Sequence, residues 1–306
     1  MLKDFISIHD LTLYEFSQIL DLTREIKERP QRFQRKLKNK ILAMIFQKPS
    51  LRTRITFEFG MLQLGGKAIY LGPTEIQMGT RESPFDVAKN LERWVDGIMI
   101  RTFAHKDVVE LAQAASIPVI NGLTDLLHPC QAMADFFTIK EKPGDLQNFK
   151  LAYVGDGNNV CHSLLFAAAK AGSTMSVATP RGFEPKPEIV SQAEEDAKDT
   201  GAKFSFSNDP LEAVKEADAV YTDVWASMGQ EHEKEKRDKI FAAYQVNRKL
   251  MANAKANALF MHCLPAHRGE EVTADVIDSS QSIVYDQAEN RLHIQKAILL
   301  LLLGKK

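Results

Sequence analysis

The stretch Ser50-Leu51-Arg52-Thr53-Arg54 marks a corner between a strand and a helix. The apolar run Ile41–Phe46 precedes it, and Phe57, Met61 and Leu64 follow at helical spacing. Serine commonly caps helices, and a helix start leaves backbone N–H groups and partial positive charge unpaired. With two guanidinium groups and two hydroxyls added, the corner suits a phosphate or another compact anion. Spacing alone also allows a capped helix with solvated arginines, and the lack of glycine excludes a Walker P-loop.

Length and composition limit the class of protein. A chain of 306 residues with 44% apolar residues can bury two modest cores, so we expect two domains. The formal net charge of -1 argues against nucleic acid or a membrane surface as a partner. The longest apolar run, residues 297–303, is too short to cross a bilayer. With three cysteines, no CxxC pair and no signal-peptide pattern at the N-terminus, we expect a cytoplasmic protein.

Predicted strands alternate with predicted helices along almost the whole chain. We place the strands at 41–47, 67–72, 97–102, 118–121, 150–154, 174–178, 203–207, 218–223, 258–262 and 282–285. This alternation predicts an α/β fold: two three-layer domains, each with a mainly parallel sheet, linked by interdomain helices. We expect the first domain at 1–140, with a C-terminal helix 291–306 packing back on it, and the second at 141–290.

Polar residues follow three of the predicted strands. Ser50 and Arg52 come after the first strand, Arg101 ends the third, and His128 follows the fourth, in a His-Pro-Cys-Gln turn that opens a helix. Alone, His128 would be an ordinary polar residue at a helix start. Ligands bind outside the carboxyl ends of parallel strands, so these groups can converge on one anion.

The segment Gly155-Asp156-Gly157-Asn158-Asn159 lies where a dinucleotide fingerprint would lie, between a strand and a helix. Val160 replaces the third glycine, and the next strand ends without an acidic residue for a ribose. We therefore prefer a different use of this corner, in which Asn159 and the helix start bind a substrate carboxylate. A dehydrogenase or a non-catalytic nucleotide-binding α/β protein stays as the competing class.

Two later segments end apolar strands: Asp223-Val224-Trp225-Ala226-Ser227-Met228-Gly229 and His262-Cys263-Leu264-Pro265. His262 and Cys263 are adjacent, and adjacent strand residues point to opposite faces, so they make a poor nucleophile and base pair. No GxSxG elbow, HExxH or paired CxxC motif is present.

Together these motifs resemble the aspartate/ornithine carbamoyltransferase family, and most closely its ornithine-using members. The family pattern S-x-R-T-R stands at Ser50 to Arg54, H-P-x-Q at His128 to Gln131, the Asn pair at 158–159, D-x-W-x-S-M-G at Asp223 to Gly229, and H-C-L-P at His262 to Pro265. One departure is Leu51, where many members carry threonine. Its backbone N–H can still contact a phosphate oxygen.

The resemblance implies a role for each matching residue. The carbamoyl-phosphate-binding residues would be Ser50, Leu51, Arg52, Thr53, Gln77, Arg101, His128, Gln131 and Arg291. The ornithine-binding residues would be Asn159, Asp223, Ser227, Met228, Cys263 and Leu264. Four of these, Arg101, His128, Asp223 and Cys263, would act in catalysis. The domain 1–140 would then bind carbamoyl phosphate and the domain 141–290 ornithine.

The implied reaction transfers the carbamoyl group of carbamoyl phosphate to the δ-amine of L-ornithine, giving L-citrulline and phosphate. It belongs to arginine metabolism and needs no metal and no organic cofactor. The resemblance also implies a homotrimer or a multiple of trimers, and closure of the Ser227 loop over ornithine. The alternative is a carbamoyltransferase that uses putrescine or another amine.

Overall fold

The computed structural model describes residues 2–142, 144–226 and 233–304. The chain separates into two compact units. The first unit runs to Phe137 and resumes at Glu289, and the second is Thr138–Ala288. Both boundaries fall inside helices, so the chain passes between the units through helical segments, as the fold prediction requires.

The first unit contains a four-stranded parallel sheet in the order β2-β1-β3-β4. Its elements are α1 (Leu13–Glu28), β1 (Ile41–Phe46), α2 (Leu51–Gln63), β2 (Lys67–Leu71), α3 (Pro73–Ile76), α4 (Pro84–Leu91), β3 (Gly97–Arg101), α5 (His105–Ala114), β4 (Val119–Leu123) and most of α6 (Pro129–Glu141), with a short 3-10 helix at Pro30–Arg32. A core of buried aliphatic side chains from β1, β3, β4, α4 and α5 lies on one face of this sheet.

The second unit contains a five-stranded parallel sheet in the order β7-β6-β5-β8-β9. Its elements are β5 (Lys150–Val154), α7 (Asn159–Ala171), β6 (Thr174–Ala178), α8 (Pro187–Ala197), β7 (Lys203–Ser207), α9 (Pro210–Val214), β8 (Ala219–Thr222), α10 (Lys234–Phe241), a 3-10 helix (Ala242–Tyr244), α11 (Arg248–Met251), β9 (Leu259–His262), α12 (Ala274–Ile277) and the start of α13 (Val284–Leu303). The predicted fold class of two parallel α/β domains is confirmed.

Helix starts follow the capping chemistry that the sequence indicates. Thr12 and Glu15 form a capping box at α1, in which each side chain accepts from the other's backbone N–H. At α2, Ser50 Oγ accepts from Thr53 N at 3.1 Å. At α7, Asn158 Oδ1 accepts from the N–H groups of Val160 and Cys161. The last two caps place the predicted motifs at 50–54 and 155–159 at helix N-termini.

The predicted strand at 282–285 is wrong. Its only ladder contact is one bridge between Ser282 and Phe260, and α13 begins at Val284. The β-branched pair Ile283 and Val284 favours a strand locally, but burial along α13 overrides that preference, since Ile294, Ala297 and Ile298 are fully buried on the helix. Among the described residues, no helix is long and apolar enough to span a bilayer.

Candidate active site

Six side chains of the first unit form what we call the anion cluster, at the carboxyl ends of its strands. They are Arg52, Thr53, Arg101, His128, Gln131 and Arg291. Strands β1 and β3 are neighbours, with Phe46 opposite Arg101, so the corner before α2 and the end of β3 lie at one edge. The start of α6 supplies His128 and Gln131 from the chain that follows β4.

Thr53 lies at the centre of the anion cluster. Its Oγ1 accepts from Arg291 Nη2 at 2.8 Å and from Arg101 Nη1 at 3.4 Å. Arg291 also donates through Nη1 to Gln131 Oε1 at 3.0 Å, and Gln131 Nε2 donates to Asp135 Oδ1 at 2.9 Å. Charge-assisted bonds thus hold two guanidinium groups on one hydroxyl, and their positive charge favours binding of an anion.

A bulge in β4 gives Thr53 its place. The pairing of β3 with β4 slips, so that Ile100 faces Asn121 and Arg101 faces Leu123, with Gly122 between them. A Cβ on Gly122 would lie 2.6 Å from Met99 Sδ and 3.5 Å from Thr53 Cγ2. A side chain at this position would require Met99 to move, whereas its distance to Thr53 would be an ordinary van der Waals contact.

His128 is neutral at pH 7. Burial, reinforced by the three cationic arginines of the cluster, holds the pKa of His128 well below its usual value. Its ring can therefore donate one N–H without carrying charge. The neighbouring Lys48 is also buried, and its ammonium lies 4.2 Å from the ring centre of Phe103. Burial and the nearby Arg101 lower the pKa of Lys48.

Two residues of the predicted phosphate motif lie outside the cluster's contacts. Arg54 lies 4.0 Å above the Tyr70 ring and forms an ion pair with Glu58 at 3.6 Å. Arg52 and Arg54 are about 200° apart around a helix of 3.6 residues per turn, so they face opposite sides. Leu51 is 73% exposed. The expectation that both arginines share one anion site is therefore wrong for Arg54.

Gln77 is exposed at the end of α3, in the left-handed conformation with φ 49°. Within the described residues its side chain has no contact with the anion cluster. The structure thus brings together Thr53, Arg101, His128, Gln131 and Arg291, with Arg52 close enough to act on His128 electrostatically. The predicted role of Gln77 near a phosphate stays a prediction.

A second group, which we call the carboxylate cluster, lies in the second unit and consists of Asn158, Asp223 and Cys263. Asn158 Nδ2 donates to Asp223 Oδ2 at 2.7 Å, and Cys263 Sγ donates to Asp223 Oδ1 at 3.0 Å. Asp223 is almost fully buried. The ends of β8 and β9, which are paired neighbours, place Asp223 and Cys263 side by side. Asn158 makes this contact with the Asp223 carboxylate, and Asn159 is the first residue of α7. The role of Asn159 in binding a substrate carboxylate stays a prediction.

Gly157, the glycine directly before Asn158, is explained by packing. A Cβ on Gly157 would lie 2.3 Å from Pro185 N and 2.6 Å from Phe183 O, so this position admits no side chain. Residues 183–185 therefore occupy the surface of Gly157 that a dinucleotide would approach. This observation supports the preference for a substrate-binding corner.

Arg237 connects several parts of the second unit that the sequence alone does not relate. Its Nη1 donates to Asp156 Oδ2 at 2.9 Å and to Trp225 O at 2.8 Å, and its Nε donates to Glu233 Oε2 at 3.1 Å. Trp225 and Glu233 flank residues 227–232, which include the predicted ligands Ser227 and Met228. Those two residues lie outside the described part of the chain. Lys48 and Arg237 carry no distinctive spacing that would have identified them beforehand, whereas Asn158 belongs to the Asn pair at 158–159.

Within the part of the chain that the structure describes, two groups of side chains have potential metal ligands within 4.8 Å of one another: Asp223, His262 and Cys263, and His267, Glu270 and Glu271. In the first, Cys263 donates to Asp223, and His262 Nδ1 accepts the Leu264 N–H. In the second, Glu270 pairs with Lys234, and Glu271 accepts the His267 N–H. These internal contacts occupy the groups, so we assign no metal to either. The buried thiols Cys130 and Cys161 have a raised pKa, to about 12 for Cys130, and are unreactive.

Comparison with known proteins gives consistent results over both units. Residues 3–141 match the carbamoyl-P binding domain of the aspartate/ornithine carbamoyltransferases, and residues 147–302 match the Asp/Orn binding domain of the same proteins. The chain is 54% identical over 304 residues to the ornithine carbamoyltransferase of Thermococcus kodakarensis, covering 99% of this chain and 96% of that protein. It is 55% identical over 304 residues to that of Carboxydothermus hydrogenoformans, covering 99% and 98%.

Solved structures agree. The ornithine carbamoyltransferase structure from Pyrococcus furiosus superposes with a TM-score of 0.96 at 52% identity, covering 99% of this chain and 98% of that one. The one from Thermus thermophilus gives 0.89 at 45% identity, with 99% of both chains covered. On both domain matches and on relatives of more than half identity, the chain belongs to the aspartate/ornithine carbamoyltransferase family.

Proposed function

We propose that the protein is an ornithine carbamoyltransferase, which transfers the carbamoyl group of carbamoyl phosphate to the δ-amine of L-ornithine. The observation that carries the proposal is the anion cluster. It combines three arginines with a neutral histidine at one sheet edge, which suits a ligand with both a phosphate and an uncharged carbonyl. The acceptor is indicated by the similar proteins described above, which are named ornithine carbamoyltransferase.

The first unit binds carbamoyl phosphate in this proposal. Ser50, the amide of Leu51 and Arg52 contact the phosphate at the start of α2, where the helix dipole adds to the attraction. Arg101, His128 and Thr53 address the carbonyl oxygen. Gln131 and Arg291 contact the carbamoyl group and hold Thr53 in place, and Gln77 contributes from its loop.

The second unit binds ornithine. Asp223 accepts from the α-ammonium group, and Asn159, beside the Asn158 cap, binds the α-carboxylate. Cys263 and the backbone of Leu264 orient the δ-amine. Ser227 and Met228 complete the set from their loop. Support comes from the contacts of Asp223 with Asn158 and Cys263, which fix the carboxylate before substrate arrives.

The chemistry needs one bond formed and one broken. The neutral δ-amine attacks the carbamoyl carbon, negative charge develops on the carbonyl oxygen, and the C–O bond to phosphate breaks. Hydrogen bonds from Arg101, His128 and Thr53 act as an oxyanion hole for the developing charge. The departing phosphate takes the proton that the amine loses, so no protein general base is required. The arginines stabilise the leaving phosphate, whose charge increases.

We propose a homotrimeric, cytoplasmic enzyme that works towards citrulline. A row of exposed apolar side chains on α2 supports self-association. The free thiols are compatible with a reducing compartment. The direction follows the relative from Pyrococcus furiosus, which is named anabolic.

A colorimetric ureido assay tests the proposal. Purified protein is given carbamoyl phosphate with ornithine, putrescine, N-acetylornithine or aspartate in separate reactions. We expect citrulline from ornithine and no comparable product from the other three amines. Turnover of putrescine in preference to ornithine would keep the proposed carbamoyl-phosphate site and contradict the acceptor, and absence of turnover with every amine would contradict the proposed reaction.

A further inference from the structure

A buried histidine and glutamate lie directly behind the Cys263–Leu264 segment. His262, the last residue of β9, and Glu271 are both completely buried. His262 Nε2 lies 3.3 Å from Glu271 Oε1. On the other side of the ring, His262 Nδ1 accepts the N–H of Leu264 at 2.8 Å. The ring is thus placed between a carboxylate and the backbone of a proposed substrate-contacting residue.

The backbone contact identifies the tautomer of the His262 ring. A ring nitrogen that accepts an N–H must carry a lone pair, so Nδ1 of His262 is unprotonated. The ring proton is then on Nε2, the nitrogen that faces Glu271. Burial by itself would raise the pKa of Glu271, but the contacts with His262 and with the His267 N–H outweigh it and lower the pKa. Because Nε2 has no well-aligned hydrogen bond within the described residues, the ionised Glu271 stabilises the tautomer that can hold Leu264 through its negative charge, 3.3 Å from Nε2.

Leu264 needs such support because its backbone is strained. Its φ of 58° lies in the left-handed region, which costs conformational free energy and which a branched non-glycine residue rarely adopts. The hydrogen bond to His262 offsets that cost. Gln287 restrains the same segment further, because its Oε1 accepts a hydrogen bond from the backbone N–H of His262 at 3.0 Å.

We propose that Glu271 is a positioning residue for the acceptor substrate: through His262 it holds the Cys263–Leu264 backbone in the conformation that orients the reacting amine. The inference rests on the proposed function for what the amine is, but the arrangement itself is a property of the second unit. Glu271 does not contact substrate in this account. Its effect passes through one ring to one backbone N–H, and the neighbouring Cys263 Sγ then meets Asp223.

The first test compares Glu271→Ala with Glu271→Gln. The alanine variant removes the acceptor opposite Nε2, whereas glutamine keeps a carbonyl oxygen there. We expect kcat/KM for ornithine to fall about 10- to 100-fold in Glu271→Ala, since a misplacement of about 1 Å can cost about 100-fold. Glu271→Gln should recover most of that loss. The dissociation constant for carbamoyl phosphate, measured by calorimetry, should stay within about twofold in both.

Asp275→Asn is the matched control, because this carboxylate lies four residues further on and is 57% exposed in its side chain. Its kinetics should equal those of the unaltered protein. If Glu271→Ala keeps kcat/KM for ornithine within twofold, or if the affinity for carbamoyl phosphate falls as much as the ornithine parameter, the positioning role is wrong.

A tautomer measurement separates this inference from the proposed function. In protein labelled with ¹⁵N-histidine, His262 should show the Nε2–H form in the unaltered protein and in Glu271→Gln, and mixed forms in Glu271→Ala. This signal requires folded protein but no turnover, so it can be read even if ornithine is not the acceptor. An Nδ1–H form in the unaltered protein would overturn the inference whatever the activity.

Discussion

At the scale of single residues, the protonation state of His128 is the most consequential feature of the anion cluster. A cationic imidazole beside three arginines would be expensive, and burial makes it more so. The ring therefore offers a fixed, uncharged N–H to the carbonyl oxygen. Its neutrality also means that it does not titrate near neutral pH in the resting enzyme.

We expect His128→Ala to lower kcat by about 100- to 1,000-fold, the usual cost of losing one oxyanion donor. Steady-state kinetics from about pH 6 to pH 9 would measure it. Since the pKa of His128 is held well below its usual value, the variant should keep the shape of the pH profile and lose only its height. His9→Ala, at a position remote in sequence, serves as the control. An acid limb near pH 6.5 that disappears in His128→Ala would contradict a neutral ring.

Residue types in the anion cluster are predictable from the sequence, but their partners are not. The motif at 50–54 identifies Thr53 and Arg52 because a helix start attracts anions regardless of the rest of the fold. Arg291 lies 238 positions from Thr53, and only the folding of α13 onto the first unit makes them hydrogen-bond. Arg54 has the right chemistry but the wrong side of the helix, a distinction that needs the orientation of α2.

At the scale of elements, the Arg237 contacts join the start of α10 to the turn after β5. The guanidinium also lies 5.0 Å from the Phe183 ring centre, so the whole group is packed among aromatic rings. Despite this cation, burial dominates at Asp156 and raises its pKa to about 6. A carboxyl with a raised folded-state pKa binds its proton more tightly when folded. Its contribution to stability is therefore complete below about pH 4 and is lost as pH rises towards 6.

Asp156→Asn should remove this component of the pH dependence. Between about pH 4 and pH 6.5, the free energy of unfolding of the unaltered protein, relative to that of the variant, should fall by up to about 3 kcal/mol. Urea unfolding at several pH values would measure the difference. In the control variant Asp199→Asn, which alters an exposed carboxylate, the free energy of unfolding should change with pH as it does in the unaltered protein. A difference that is constant with pH would show that Asp156 ionises at its ordinary value, and one that grows with rising pH would show a lowered pKa; either result would contradict the raised pKa.

Element prediction fails where local preference and long-range burial disagree. Residues 282–285 have the composition of a strand, yet the apolar pattern of α13 extends back to Val284 and the segment contributes only one bridge. The interior strands are identified correctly because buried parallel strands have continuous apolar runs between glycine, proline and polar turns. The outer strand β7 is partly exposed and alternates polar with aromatic residues instead. At residues 155–157 a local pattern has a long-range cause. The glycine spacing is typical of a nucleotide-binding turn, but packing against residues 183–185 explains Gly157.

At the scale of the whole molecule, the two-domain parallel architecture and the family were both predicted correctly. Alternating strands and helices determine the class of fold, and five motifs in a fixed order identify the family, whose match over both domains confirms it. Assembly is different, because a subunit contact appears in the sequence only as apolar residues that the fold leaves exposed. Their exposure could be recognised only after α2 had been placed.

The outer face of α2 is the surface on which we expect the trimer to depend. Leu51, Ile55, Phe59 and Leu62 lie three or four residues apart on one side of the helix and are 73%, 53%, 46% and 65% exposed. Beside them is a groove of about 610 Å³, lined by Ile55, Phe59, Leu62, Gly66 and Ala68 together with the charged residues Arg54, Glu58 and Lys67. Contiguous apolar surface of this kind on a protein of near-zero net charge favours association.

We therefore expect light scattering after gel filtration to give three times the chain mass of 34.4 kDa, or a multiple of it. Phe59→Lys should convert the protein to monomers at micromolar concentration, since it places an unpaired ammonium in an apolar contact. Tyr14→Lys, which alters an isolated exposed aromatic on α1, should keep the native mass. A monomeric unaltered protein would contradict the trimer itself. A Phe59→Lys variant that is still trimeric would place the subunit contact on another surface, because α2 would then tolerate a charge at the middle of its exposed face.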